Sequence, residues 1–117
     1  MTYFPPQSTP MTDSGVGKLD SADVTTAQSI VGAGAVAAKK YYITSIILSV
    51  AATGTYWIED DDAVQVTGKF SLAAKGGVSW AAPKDTPLAS TTVNKGLKVK
   101  GTVAGVIGCT ITYYLAA

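Results

Sequence analysis

Four of the eight carboxylates in this chain stand side by side, as Glu59-Asp60-Asp61-Asp62. This is the one grouping with metal-binding potential, because calcium takes several oxygens from a single loop. The run lacks the Asp-x-Asp-x-Asp-Gly spacing that wraps a loop around the ion, and neighbouring acids at a strand end diverge. A solvated turn is therefore expected at 59–62, with weak cation binding as the lesser alternative. The other reactive groups are sparser still. There is one cysteine, Cys109, and there is no histidine or arginine. Without histidine no Cys-His nucleophile, Ser-His-Asp triad or imidazole metal site can be built. A glycosidase needs only two carboxylates, but the acids here are adjacent or lie in segments rich in turn residues. No phosphate cradle is present, since Gly32-Ala33-Gly34 lacks the helix that would follow it. The expectation is a chain with no catalytic, cofactor-binding or metal-binding residues, and so not an enzyme.

The aromatic residues carry more information. Tyr41-Tyr42, Tyr56-Trp57 and Tyr113-Tyr114 are adjacent pairs. Adjacent residues of a strand point to opposite faces, so each pair places one ring in the core and one outside. The outward rings suit a subunit interface or a sugar-binding platform, and the interface is preferred because Tyr and Trp are its usual anchors. Tyr3-Phe4-Pro5-Pro6 is a second aromatic start, read either as a frayed terminus or as an arm whose prolines lower the cost of ordering on a partner. The candidate interface residues are Tyr3, Phe4, Pro5, Pro6, Tyr41, Tyr42, Trp57 and Tyr114.

The elements that would hold these residues are short strands. Residues 1–22 contain Pro5, Pro6, Pro10, Gly15 and Gly17 among Ser and Thr, and read as an extended N-terminal arm. Residues 24–38 read as two short strands or a strand and a loop. Residues 41–50 are β-branched and aromatic, with large apolar residues at both odd and even positions. Such a strand is expected to be covered on both faces, by its own core and by a subunit. A short strand follows at 55–58, leading into the acidic loop. Residues 63–73 alternate, with Val64, Val66, Phe70 and Leu72 on one side. A strand at 78–80 and a long connection over 81–95 come next. Residues 97–103 and 106–115 alternate as well, and Ala104-Gly105 between them gives a hairpin signal. Cys109 falls on the apolar side with Ile107, Ile111 and Tyr113, so it is expected to be buried and inert. Seven or eight strands in this span mean an all-β sandwich or barrel, one domain over 23–117.

Composition bounds the partners. The chain has 117 residues and is 47% apolar, enough for a core without disulfides. Net charge is +1 and every basic residue is lysine. That argues against nucleic acid, which is bound through clustered Lys and Arg. It also does little to resist self-association. No apolar run approaches the ~18 residues of a membrane span, and the N-terminus has no signal-peptide pattern. The expectation is no membrane partner and synthesis in the cytoplasm.

The order of these features resembles the small jelly-roll proteins that decorate or cement the capsids of tailed bacteriophages. The resemblance spans about residues 27–114. It is carried by Gln28-Ser29-Ile30-Val31, the entry into Tyr42-Ile43-Thr44-Ser45-Ile46, and the acidic hairpin at 59–62. Pro87-Leu88, Gly96-Leu97-Lys98-Val99 and the closing Thr110-Ile111-Thr112-Tyr113 complete it. It implies a jelly roll of about eight strands rather than an immunoglobulin-like sandwich. It implies a virion surface protein, made in the host cytoplasm, that binds the major capsid protein and itself, as a trimer. The alternative is a host-surface or carbohydrate-binding module of a head fibre or tail.

Overall fold

Residues 14–31, 39–82, 86–89, 93 and 95–116 are described by a computed structural model. Among them every regular element is a strand. In chain order these are β1 (Ser14–Asp23), β2 (Gln28–Val31), β3 (Lys40–Val50), β4 (Gly54–Asp60) and β5 (Phe70–Leu72). They continue with β6 (Gly77–Ala81), β7 (Leu88–Ala89), β8 (Leu97–Gly101) and β9 (Ala104–Ala116).

The strands form two antiparallel sheets. The first runs β1-β9-β3-β6, with the short β7 also paired to β3; the second runs β2-β8-β4-β5. The pairings are nested: β1 with β9, β2 with β8, β3 with β6, and β4 with β5 at the tip. One long hairpin has rolled up, and the added pairs β3–β9 and β4–β8 close each sheet. This is the jelly-roll arrangement of two four-stranded layers, β7 aside. The two inner faces meet over a core that includes Ile43, Ile46, Leu48, Tyr56, Ile58, Leu97, Val99, Ile107 and Ile111. Cys109 lies among them, buried as expected.

The arm expected over 1–22 is corrected from residue 14 onward. Ser14–Asp23 is a full strand, paired with β9 from Ser14 opposite Tyr114 to Asp23 opposite Ala104. Its inward positions begin with Gly15 and Gly17, which explains why no apolar alternation marks it. A side chain at Gly17 would collide with Val31 and Ile30, at 2.6 and 2.9 Å, where β1 passes close over β2. Residues 1–13 lie outside the described residues.

The two-faced reading of 41–50 is also corrected. Ile43 pairs with Tyr113 and Ser45 pairs with Thr112, so Thr44 is an extra residue. A bulge of this kind reverses which alternate residues face the core. Tyr41 and Ile43 point inward before it, and Ile46, Leu48 and Val50 point inward after it. Both apolar sets thus serve one core, and Ile47 is the large residue left outside, 58% exposed.

The hairpin expected from 97–103 and 106–115 does not form. β8 belongs to the second sheet and β9 to the first, and the chain turns a corner between them. Their apolar faces look at each other across the core instead of sharing a layer. In 63–73, strand pairing is confined to β5 and to one bridge between Glu59 and Gln65. Val64 faces solvent there.

Candidate functional site

The two sheets present outer faces of opposite character. On the first sheet the outward rows run across the strands in register. Val16, Thr112, Ser45 and Ala81 make one row, and Lys18, Thr110, Ile47 and Ser79 the next. These side chains are short and mostly hydroxyl-bearing or apolar. Charge is confined to Lys18, Asp20 and Asp23 on the edge strand and Lys40 at one end. The surface is therefore close to neutral. The bulge brings three hydroxyls together near its centre. Thr44 Oγ1 lies 2.7 Å from Thr112 Oγ1, which also bonds Ser45 Oγ. Beside them is a shallow depression of about 420 Å³, lined by Ser14, Val16, Thr44, Thr112 and Tyr114 among others.

Tyr42 and Tyr114 close one end of this face. They are directly opposite in register, and their rings stack 5.0 Å apart with planes within 5°. Tyr41 is a different case and is withdrawn as an interface residue. The bulge sets its parity inward, it is buried, and its ring meets Tyr113 edge-on at 4.9 Å. Burial, together with Tyr113 and Asp61 nearby, raises the Tyr41 phenol above its usual pKa.

Trp57 lies on the outer face of the second sheet, away from the tyrosine pair. Its indole Nε1 donates to Glu59 Oε1 at 2.9 Å, and Lys69 Nζ stands 4.7 Å from the ring centre. Lys100 is opposite Trp57 in register, and Lys98 is opposite Glu59. This face is charged, and its groups are already engaged with one another. Lys100 donates to the Thr25 carbonyl, and Lys98 faces Asp61 at 3.9 Å. The expected interface set thus divides. Tyr42 and Tyr114 share one face and Trp57 lies on the other. Tyr41 is core, and Tyr3, Phe4, Pro5 and Pro6 lie outside the described residues.

The acidic run is only half a turn. Glu59 and Asp60 belong to β4 and are buried, which corrects the solvated loop expected over 59–62. Asp60 turns inward and its Oδ1 accepts the amides of Asp62 (2.8 Å) and Val64 (3.0 Å). Asp61 Oδ2 accepts the amide of Gly96 at 2.9 Å, and Asp62 pairs with Lys95 at 3.3 Å. The four carboxylates point in different directions, and each is tied to a separate neighbour. Among the described residues no three acids, cysteines or histidines gather around a common point.

Cys109 is the remaining reactive group. Burial pushes its thiol up to about 12, far from thiolate chemistry at neutral pH. Sequence reasoning missed the hydroxyl cluster at Thr44, Ser45 and Thr112, because it depends on the bulge and on which strands are neighbours. No protein-family model and no curated protein matches the chain.

Proposed function

We propose that this chain is a virion structural protein that binds the outer surface of a phage capsid and reinforces it, without catalysis. The observation that carries the reading is the outer face of the β1-β9-β3-β6 sheet. Over its central rows Lys18, on the edge strand, is the one charged residue, and Val16 and Ile47 are more than half exposed. A surface of this kind suits another protein surface, where the charged residues usual on solvent faces would have to be stripped of water. The jelly roll supports it at the level of architecture, since viral shell proteins use this fold, though lectins do too. The reactive groups support it as well. The acids of the 59–62 run are engaged by Trp57, backbone amides and Lys95, and the one thiol is held neutral in the core. Reinforcement would come from number. A ligand that binds only the intact shell stabilises that state by mass action, and many copies on a symmetric lattice multiply a modest contact.

The test is attachment of purified protein to capsids of the phage that encodes it, followed by heat challenge of coated and bare particles. Coated particles are expected to open at higher temperature. Ile47→Glu on the first sheet is expected to abolish attachment, and Trp57→Ala on the second to leave it intact. Equal stability of coated and bare particles would overturn the reading. A second reading follows from the depression beside Thr44, Thr112 and Tyr114, whose hydroxyls and ring edge suit a sugar. Saturable binding to host-surface glycans, lost in Thr112→Val, would promote that carbohydrate-binding module in its place.

A further inference from the structure

We propose that two copies of this chain join edge to edge, β1 against β1, antiparallel about a two-fold axis at Leu19. The inference goes beyond the capsid reading and stands independently of it. Among the described residues β1 ends its sheet and is paired on one side, to β9. It is ten residues long. The other three sheet ends are shorter: β5 has three residues, β6 has five, and β2 has four and carries a bulge. Short or bulged edges resist pairing with another chain. From Ser14 to Ser21 β1 runs in unbroken register, with neither device.

Charge selects the occupant. Lys18 and Asp20 are exposed on the outer face of β1, two residues apart on either side of Leu19. Antiparallel pairing centred on Leu19 sets Lys18 opposite Asp20 of the second copy, and Asp20 opposite its Lys18. Opposite charges directly across a strand pair attract, and like charges repel. Centring the axis one residue away stacks Lys18 on Lys18 or Asp20 on Asp20, and would turn the outer face of one copy inward on neither choice. Pairing offset by an odd step sets outward residues against inward ones. Centring on Gly17 or Ser21 sets Lys18 and Asp20 against uncharged residues, so the register centred on Leu19 is the one that sets opposite charges across the pair while keeping outward residues opposite outward ones. In it Leu19, half-buried at the rim of the core, meets its own counterpart. An edge lysine alone would repel another strand, but in this register each Lys18 faces an Asp20 of the second copy. Another protein would need a Lys and an Asp at the same spacing, which a second copy supplies by symmetry. The product is a dimer whose two outer faces form one continuous surface, in place of the trimer implied by the resemblance.

Sedimentation of the full chain at about 0.1 mM, above the range of micromolar association, is expected to give twice the 12.0 kDa chain mass. Lys18→Glu is expected to weaken the dimer at least ~10-fold by setting like charges opposite. Lys18→Asp combined with Asp20→Lys is expected to restore it. Leu19→Cys reads the register directly. Opposed residues of an antiparallel pair lie about 4.5–5.5 Å apart at Cα, within reach of a disulfide. Oxidation should link two copies through residue 19, while Val16→Cys does not link and the buried Cys109 stays silent. Circular dichroism of each variant establishes that it is folded. A monomer at this concentration overturns the proposal. So does a dimer that is indifferent to Lys18→Glu and is not linked through residue 19.

Discussion

Tyr42 and Tyr114 face each other across neighbouring strands and stack almost parallel, 5.0 Å between ring centres. Tyr42 lies outside because of the bulge at Thr44, which turns Tyr41 inward, and Tyr114 meets it from β9. Cross-strand aromatic pairs contribute about 0.5–1.5 kcal/mol beyond their buried area. Tyr42→Ala and Tyr114→Ala are each expected to lower stability, and the double variant by less than their sum. A urea-denaturation cycle measures the coupling. Full additivity would mean that the rings are merely adjacent.

The turns at Ala63 and Lys75 hold non-glycine residues in the left-handed region, at φ 62° and 61°. Ala63 completes a three-residue hairpin loop in which the Asp60 amide bonds the Val64 carbonyl at 2.9 Å. A side chain in this region costs roughly 1–2 kcal/mol, a penalty that glycine avoids. Ala63→Gly and Lys75→Gly are each expected to raise stability by up to about 1 kcal/mol, less the entropy glycine adds to the unfolded chain. Thermal melting checks both, and a fall in either would place the strain elsewhere.

The one-sided strands were legible because their apolar residues keep one parity, as in Leu97 and Val99 or Ile107 and Ile111. β1 was not, since Gly15 and Gly17 occupy inward positions and leave Leu19 as the sole apolar marker on that side. The bulge at Thr44 was not legible either. One extra residue makes a one-faced strand look two-faced, and the expected second cover followed from that. Partner choice is non-local, so the short link between β8 and β9 read as a hairpin although the strands lie in different sheets. The same gap affected the site. Alternation alone puts Tyr114 outside, next to the inward Tyr113, but it leaves both Tyr41 and Tyr42 as candidates; the bulge decides between them, and the separation from Trp57 depends on the roll.

Cys109 should be silent to a thiol reagent in the native protein and react after denaturation. Its pH dependence has a definite sign. Burial raises the folded thiol to about 12, against an ordinary value of 9.0. The folded state thus keeps a proton that the unfolded state loses, and the thiol's contribution is complete below pH 9. It declines as pH rises toward 12, by at most ~1.4 kcal/mol per pH unit from this group. Comparing wild type with Cys109→Ala between pH 8 and about 10.5, short of alkaline unfolding, isolates it. The stability difference should shrink as pH rises. A constant difference would mean that the thiol does not titrate differently in the two states.

Asp23 is expected to titrate below its ordinary value of 3.8, because its carboxylate accepts the hydroxyl and the amide of Thr25, with Lys100 adding attraction. Those bonds hold the corner between β1 and β2. For a carboxyl depressed in the folded state, the stabilisation is present above the unfolded pKa and is lost as pH falls through the folded one. The corner should therefore keep its order at pH 5 and loosen below the Asp23 midpoint. The group is fully exposed, so the effect is local, not a global unfolding. Carboxyl and amide NMR shifts followed down in pH give the test. The Asp23 carboxyl and the Thr25 amide should move together, with a midpoint under 3.8. Asp23→Asn should remove the transition from Thr25 and leave the two sheets paired. A Thr25 amide that ignores acid would show that the side-chain bond does not hold this corner.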